Sequence, residues 1–509
     1  MPDKSALRDL LGEGRRVDGH RPWPRIEVGE DLWRRLGEQL ARGAWTMLDL
    51  WGEAGAVQMA VLDEGAGAIA VVSLACPQGR FPSVGCLHPA AIRLERAIED
   101  LYGLEPEGAA DRRPWLDHGR WEVRHPLGGG SGAAASPAAY EFLPVEGESL
   151  HRVPVGPVHA GIIEPGHFRF TASGETVVRL EERLGYVHKG IASLMSGAPV
   201  EKAARLAGHV SGDSTVAYSI AFARAVEAAL GIEPPPRAEW LRGLMGELER
   251  IANHFGDFGA ICNDASFSLL HAHCGILRER VLRAADACFG HRLMMGCISP
   301  GGVAVDPGRE SLAAVTSLVD EIRRRFPKLV ELYDNTASLQ NRTVGTGVLT
   351  SELARQFGCG GYVGRASGRP FDARRLPGYP PYPFLRFDVP AQEAGDVNAR
   401  VWIRIREIEQ SLGLLDQMLQ KLPAGEVRTA IEGASIAGQA EGIALVEGFR
   451  GDILAWVRLT EPTRIAACRL RDPSWFQWPL LEAAIEGNIV ADFPLCNKSF
   501  NCSYSGHDL

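Results

Sequence analysis

The chain has 509 residues, 45% hydrophobic and 23% charged, with a net charge of −9; this composition speaks against a disordered chain and leaves room for two to four domains at roughly 100–200 residues each. The acidic balance and the lack of a sustained basic run speak against nucleic acid as a partner, since the densest patch, Arg323-Arg324-Arg325, reads as the solvated face of an amphipathic helix. Residues 1–5 carry no apolar signal segment, no run of about 18 apolar residues occurs, and ten scattered cysteines never form Cys-x-x-Cys, which suits reduced thiols better than a disulfide framework.

In chain order, residues 45–51 and 68–74 read as strands and residues 90–102 as a helix with Ile92, Ile98 and Leu101 as its apolar positions. The run Leu-Gly-Gly-Gly-Ser-Gly-Ala-Ala-Ala-Ser-Pro, 127–137, reads as a linker, with little to bury and much entropy to lose. Two strands follow, 168–171 and 176–180, joined by the turn Ser173-Gly174-Glu175. Helical spacing then predicts long helices over 215–230, 239–258, 268–289, 310–333 and 399–420, and residues 443–470 return to strands. The expected fold is α+β: an N-terminal α/β domain (1–126), a Gly/Ser/Ala-rich linker (127–150) and a large, mainly α-helical bundle domain with small β elements (151–509).

Several motifs in a fixed order carry a family resemblance. The segment Glu95-Arg96-Ala97-Ile98-Glu99-Asp100-Leu101-Tyr102-Gly103, followed by Asp111-Arg112-Arg113-Pro114-Trp115-Leu116, resembles the signature of the C subunit of NADH:quinone oxidoreductase (complex I); as chemistry it reads as a charged amphipathic helix with a glycine C-cap. Residues 154–509 resemble the D subunit of that complex and, equally, the large subunit of group 4 [NiFe] hydrogenases. The carriers are Gly156-Pro157-Val158-His159, Glu164-Pro165-Gly166-His167-Phe168-Arg169-Phe170, Gly185-Tyr186-Val187-His188-Lys189-Gly190, Glu247-Leu248-Glu249-Arg250-Ile251-Ala252-Asn253-His254, Pro300-Gly301-Gly302-Val303, Arg404-Ile405-Arg406-Glu407 and Val446-Glu447-Gly448-Phe449-Arg450-Gly451. The fused C-like and D-like arrangement is that of formate hydrogenlyase large subunits.

The departures bear on chemistry. In the hydrogenases two Cys-x-x-Cys pairs supply four thiolates to nickel and iron, soft ligands that those metals require. Anchoring on Ala225-Val226-Glu227, the resemblance places the first pair on Ser211 and Ser214, where hydroxyls replace both sulfurs. Two registers are open for the second pair. One uses Cys496 and Ser499 and leaves Cys496 as a vestigial ligand; the other uses Ser503 and Gly506 and leaves no cysteine, and it is favoured because Asp508 then matches the acidic residue after the pair.

The resemblance also suggests candidate site residues. Glu164 matches a proton-relay position and is a relay if buried beside the cavity, where desolvation would raise its pKa; otherwise it is a loop carboxylate. His159, His167 and His188 are either proton-transfer groups or structural histidines lining the cavity. Arg450 resembles an arginine beside the metal, with Asp213 or Asp492 as its counter-charge. Tyr218, one helical turn beyond Ser214, is expected on the same side. A hydrated polar cavity lined by Ser211, Asp213, Ser214, Tyr218, Arg450, Asp492 and Ser503 is the expectation.

The resemblance implies a subunit of a membrane-associated respiratory oxidoreductase complex. Its implied task is to take electrons from a partner's iron–sulfur cluster and pass them to a quinone or other small acceptor, with no cofactor of its own and no nickel–iron centre. A functional [NiFe] hydrogenase large subunit and a non-catalytic scaffold coupling partners to a membrane arm are the alternatives. The implied partners are an iron–sulfur small subunit, a ferredoxin-like subunit and membrane subunits, with the chain cytoplasmic and peripheral to the inner membrane through them. No Gly-x-Gly-x-x-Gly follows a strand, so no nucleotide site is expected.

Overall fold

The computed structural model describes residues 7–129, 132–133, 139–161, 163–431, 433–436 and 438–509. The N-terminal part is built on a five-stranded sheet of β1 (Arg15–Val17), β3 (Arg25–Val28), β4 (Thr46–Glu53), β5 (Ala56–Asp63) and β6 (Ala68–Ala75), in the order β1-β3-β6-β5-β4. Within this sheet only β3 and β6 run parallel. Helix α1 (Glu30–Ala41) presents Leu32, Trp33, Leu36 and Leu40 to one face of the sheet, and α2 (Ile92–Tyr102) ends at Gly103, whose φ of 70° makes the left-handed C-cap that a glycine adopts without strain.

Six consecutive residues are buried in each of β4, β5 and β6, so both faces of this sheet are covered. Side chains alternate across a strand. Val57, Met59, Val61, Ala70 and Val72 enter the core shared with α1 and α2. Leu48, Trp51, Ala60, Leu62, Ile69 and Val71 enter the core of the second part, where Trp51 meets Trp456 with ring centroids 5.8 Å apart. The two parts of the chain therefore share their interiors. A short strand, β2 (His20–Arg21), also leaves the N-terminal sheet and pairs in parallel with Glu441 and Gly442.

Of the stretch expected as a linker, 130–131 and 134–138 lie outside the described residues. The residues that follow are packed rather than free: the Tyr140 hydroxyl accepts from Arg96 Nη2 at 2.8 Å, and Arg169 lies over the Phe142 ring at 3.9 Å.

The second part opens with an antiparallel sheet of β7 (Leu150–Val155), β8 (His167–Ser173) and β9 (Thr176–Arg183). Helix α3 (Thr215–Leu230) follows, apolar on every side and buried at 14 of its 16 positions, as an all-round hydrophobic helix must be. α4 (Pro236–Asp264) lies beside it and packs against both α5 (Ser268–Phe289) and α7 (Val397–Lys421), and α6 (Arg309–Asp334) packs against α5 and α7. Pro236 occupies the first turn of α4, where its missing N–H costs nothing, and Asp396 caps α7 by accepting from Ala399 N at 2.7 Å.

The chain closes with β10 (Ala440–Glu447), β11 (Asp452–Glu461) and β12 (Arg464–Arg471), which join β2 in the order β12-β11-β10-β2, and then α8 (Ser474–Ile485), α9 (Phe493–Phe500) and α10 (Tyr504–Asp508). Gly442 lets β10 lie on the backbone of α3: a Cβ there would stand 1.9 Å from the Ala225 carbonyl oxygen.

Several of the motif residues meet in one buried charge network. Arg365 donates to Glu407 at 2.7 Å and Glu447 at 2.8 Å, Arg374 donates to Glu247 at 3.0 Å, and His254 Nε2 lies 2.7 Å from Glu407. These groups are fully enclosed and mutually neutralised, the condition under which charges persist inside a protein. They hold α4, α7 and β10 in register behind the cavity described next. Among the described residues no helix is long and apolar enough to cross a membrane.

Candidate functional site

The segment leading into α3 and the segment leading into α10 come together although about 290 residues separate them: Ser211 Oγ and Ser503 Oγ are 2.9 Å apart. They sit on the wall of a cavity of about 560 Å³. Hydrogen-bond chemistry fixes the proton order. Ionised Asp213 can only accept, so Ser211 donates to its Oδ1 at 2.8 Å and Ser214 does so at 3.2 Å. Ser503 must then donate to Ser211, while its own oxygen accepts from Gly506 N at 2.9 Å and caps α10.

Arg450 closes the cluster. Its Nη1 donates to Asp213 Oδ1 at 2.9 Å and to Ser214 Oγ at 3.2 Å, its Nη2 to Asp213 Oδ2, and its Nε to the Asn501 carbonyl. Burial pushes the Asp213 carboxyl up, but the bidentate guanidinium outweighs it and leaves the carboxyl below the usual aspartate range. Of the two counter-charges expected for Arg450, the structure uses Asp213.

This donor set does not fit a thiolate-held binuclear centre. Ser211, Ser214 and Ser503 are hydroxyls already committed to one another and to Asp213, and Gly506 has no side chain. The nearest thiol, Cys502, lines the cavity but is held well above the ordinary thiol pKa by burial. Among the described residues no three His, Cys, Asp or Glu side chains converge as a metal-ion ligand set.

Other expected members of the site stand elsewhere. Cys496 is not on the cavity. On α9 it faces Arg400 of α7 and the backbone at Gly347, while the adjacent Asn497 and Lys498 face the cavity; burial pushes the Cys496 thiol up to about 11. Asp492 lies at the N-terminus of α9 and pairs with Arg342 at 3.2 Å, so it does not reach Arg450. Tyr218 points behind the site, donating to Asp472 Oδ2 at 2.6 Å. Ser214 is the N-cap of α3 with ψ of 22°, so the helical face begins only after it and Tyr218 does not share its side.

Among the histidines, His159 lines the cavity, its Nε2 3.2 Å from the Tyr504 hydroxyl. His167 does not. Its neighbour Phe168 points into the core against Phe493, so strand alternation turns His167 to the other face, where Nδ1 lies 3.3 Å from the Gly156 carbonyl and burial lowers its pKa. His188 lies 2.6 Å from the Asp508 carbonyl and lines a separate apolar cavity of about 300 Å³. Glu164 does open onto the Ser211–Ser503 cavity, accepting from Ser505 Oγ at 2.7 Å, but as an exposed carboxylate at the rim and not as a buried one. Cys502 and Tyr504 were missed by sequence reasoning, although they flank Ser503 in the run that the motif order had already marked.

Residues 57–129 match the family model of the respiratory-chain NADH dehydrogenase 30 Kd subunit and residues 270–441 that of the 49 Kd subunit. The chain is 31% identical to formate hydrogenlyase subunit 5 of Escherichia coli, over 84% of this chain and 77% of that protein. The chain belongs to the complex I 49/30 kDa subunit family, with the two parts fused. Hydrogenase-4 component G of Escherichia coli is similar to the same degree, at 32% identity over 84% of this chain and 76% of that protein. The NADH-quinone oxidoreductase D subunit of Dehalococcoides mccartyi is 30% identical over 66% of this chain and 92% of its own length. Among solved structures, a chain from the archaeal membrane-bound sulfane sulfur reductase shares the fold with a TM-score of 0.67 at 24% identity, covering 72% of this chain and all of that one. In this 49/30 kDa subunit the cavity occupies the junction between the start of α3 and the last helix, α10.

Proposed function

We propose that this chain is the subunit of a membrane-associated respiratory oxidoreductase complex at which electrons from a partner's iron–sulfur cluster reach a quinone or other small acceptor, without a nickel–iron centre. The observation that carries this reading is the saturated hydroxyl cluster, Ser503–Ser211–Asp213–Arg450, standing where the resemblance places thiolates. A hydroxyl stays protonated near neutral pH and binds soft metals poorly, whereas a cavity of about 560 Å³ with both apolar and charged walls is the size of a small-molecule site. The relatives named above are components of formate hydrogenlyase, hydrogenase and NADH-quinone oxidoreductase, which supports iron–sulfur, ferredoxin-like and membrane subunits as partners and a cytoplasmic, peripheral position.

In this reading Arg450 supplies positive charge at the cavity wall, where a reduced acceptor would develop negative charge. Glu164 and His159, at the rim, are placed to pass protons between solvent and the acceptor, because a two-electron reduction takes up two protons.

The test uses the native complex, purified through a tag on this chain. Elemental analysis is expected to find no stoichiometric nickel, and about one nickel per chain overturns the metal-free reading. Reduction of quinones and of sulfane sulfur is then assayed. Glu164→Gln is expected to slow turnover roughly 10-fold or more with assembly unchanged, less than the effect of a fully enclosed acid because water also reaches the rim. Unaltered turnover with every acceptor in an intact complex would instead mark the chain as a scaffold.

A further inference from the structure

The sheet β7-β8-β9 has one face in the core and one turned outward, and the outward face carries an unusual set of charges. The antiparallel register places Arg152 opposite Thr171 and Thr171 opposite Arg179, while Arg169 precedes Thr171 by two residues on the same face of the central strand. Neighbouring strands lie about 4.8 Å apart, so the long side chains of all three arginines reach a common space. That space is a surface cavity of about 270 Å³, walled by Arg152, Arg169, Thr171, Arg179 and Phe142.

Their partners within the chain do not account for them. Arg113, close by, is ion-paired with both Asp111 and Glu181. Among the described residues Arg152, Arg169 and Arg179 have no such pair. Arg169 lies flat over the Phe142 ring, 3.9 Å from its centroid, with its Nε enclosed and without a hydrogen-bond partner among the described residues. Arg179 donates to the Pro144 carbonyl at 3.5 Å and stands near the Glu486 carboxylate without forming an ion pair with it. The Glu181 carboxylate at the cavity edge is already engaged, Oε1 by Arg113 Nη1 at 2.6 Å and Oε2 by Leu143 N at 2.7 Å. The exposed Glu141 is the one other carboxylate on the cavity wall.

Like charges on adjacent strands repel. With Glu181 held by Arg113, the exposed Glu141 is the carboxylate on the cavity wall that offsets the three arginines, which leaves a concave site of net positive charge with a ring-backed guanidinium at its base. A guanidinium presents paired donors that match two oxygens of an oxyanion. A phosphate monoester carries about −1.5 to −2 charges and three acceptor oxygens, which answers three arginines better than the single charge of a carboxylate.

We propose that Arg152, Arg169 and Arg179 form a binding site for a phosphate group, carried either by a soluble phosphate compound or by a phospholipid headgroup. The site lies on the outward face of the β7-β8-β9 sheet and shares no residue with the Ser211–Ser503 cavity.

The test compares the full chain with Arg152→Gln and Arg179→Gln, whose side chains are unpaired and outward, so folding is preserved and is checked by circular dichroism. Calorimetric titration with inorganic pyrophosphate tests the soluble source. Co-sedimentation with phosphatidylcholine vesicles, with and without phosphatidylglycerol, tests the lipid source. Binding in one arm, weakened about tenfold or more by each substitution as expected for a lost charge-assisted hydrogen bond, supports the site and identifies its source. No binding in either arm, or binding that both variants retain, overturns it. Equal affinity for a polyglutamate peptide overturns the assignment to phosphate.

Discussion

Asp213 is a carboxylate held by two hydroxyls and one guanidinium, and it depends on that guanidinium. Breaking a fully buried pair costs about 3–5 kcal/mol. The Asp213 side chain keeps 35% of its exposure toward the cavity, so Arg450→Gln is expected to cost about 2 kcal/mol. Adding Asp213→Asn is expected to restore most of this loss, and a urea-denaturation cycle measures the coupling; strictly additive losses would mean that the two groups act separately. The sign with pH follows from the lowered carboxyl. The pair's contribution is complete above the unfolded aspartate value near 4 and is lost as pH falls through the depressed folded value. Asp213→Asn therefore removes a part of acid destabilisation that lies below about pH 4. At this scale the sequence was legible where motif order spoke and opaque where geometry did. The meeting of Ser211 with Ser503 could be read from the order of motifs alone. The departure of Tyr218 could not, because it rests on the ψ angle of Ser214. Nor could that of Cys496, because it rests on which side of a two-turn helix meets Arg400.

Helix α3 starts at the cavity, and its first N–H groups need acceptors. Glu249 of α4 supplies them, accepting from Val216 N at 2.7 Å and Ala217 N at 3.1 Å. Burial pushes this carboxyl up to about 8 despite those hydrogen bonds. The folded state thus keeps a proton that the unfolded chain releases above about pH 4.3, and wild-type stability falls as pH rises from there to about 8. Glu249→Gln keeps an acceptor and removes the titration. Its urea midpoint relative to wild type is expected to improve between about pH 5 and about pH 8, and a constant difference would contradict the assignment. The helices themselves were largely readable. Residues 215–230 and 268–289 were bounded correctly because Gly231 and Gly290 stop each helix in the left-handed conformation. Helix α8 was not read, since Trp475, Phe476, Trp478, Leu480 and Leu481 surround it with apolar side chains and Pro479 interrupts it, leaving no 3.6-residue period to detect.

Across the whole molecule, the Gly/Ser/Ala-rich run reads as a boundary between two domains, and the structure packs the interiors of the two parts against each other. Composition reveals where a chain is poor in apolar residues but not which faces of a distant sheet it leaves uncovered. Leu48, Trp51, Leu62, Ile69 and Val71 make one face of the N-terminal sheet apolar, and its cover is the second part. Residues 1–129 produced alone are therefore expected to expose that face, bind a hydrophobic dye and aggregate, and co-production with residues 139–509 is expected to yield a soluble pair. A monodisperse, dye-silent N-terminal fragment would show that the face is covered from within.

The pairing of β2 with β10, with Arg25 donating to Glu441 across 416 residues of chain, also has a consequence in time. A ribosome moving at about 5–20 residues per second reaches Glu441 about 20–80 s after Arg25 has been made. For that interval the apolar side of the first sheet has no cover of its own. The nascent chain must be sheltered during the wait, so depleting the chaperones that bind emerging chains is expected to lower the yield of this protein, and more so when elongation is slowed.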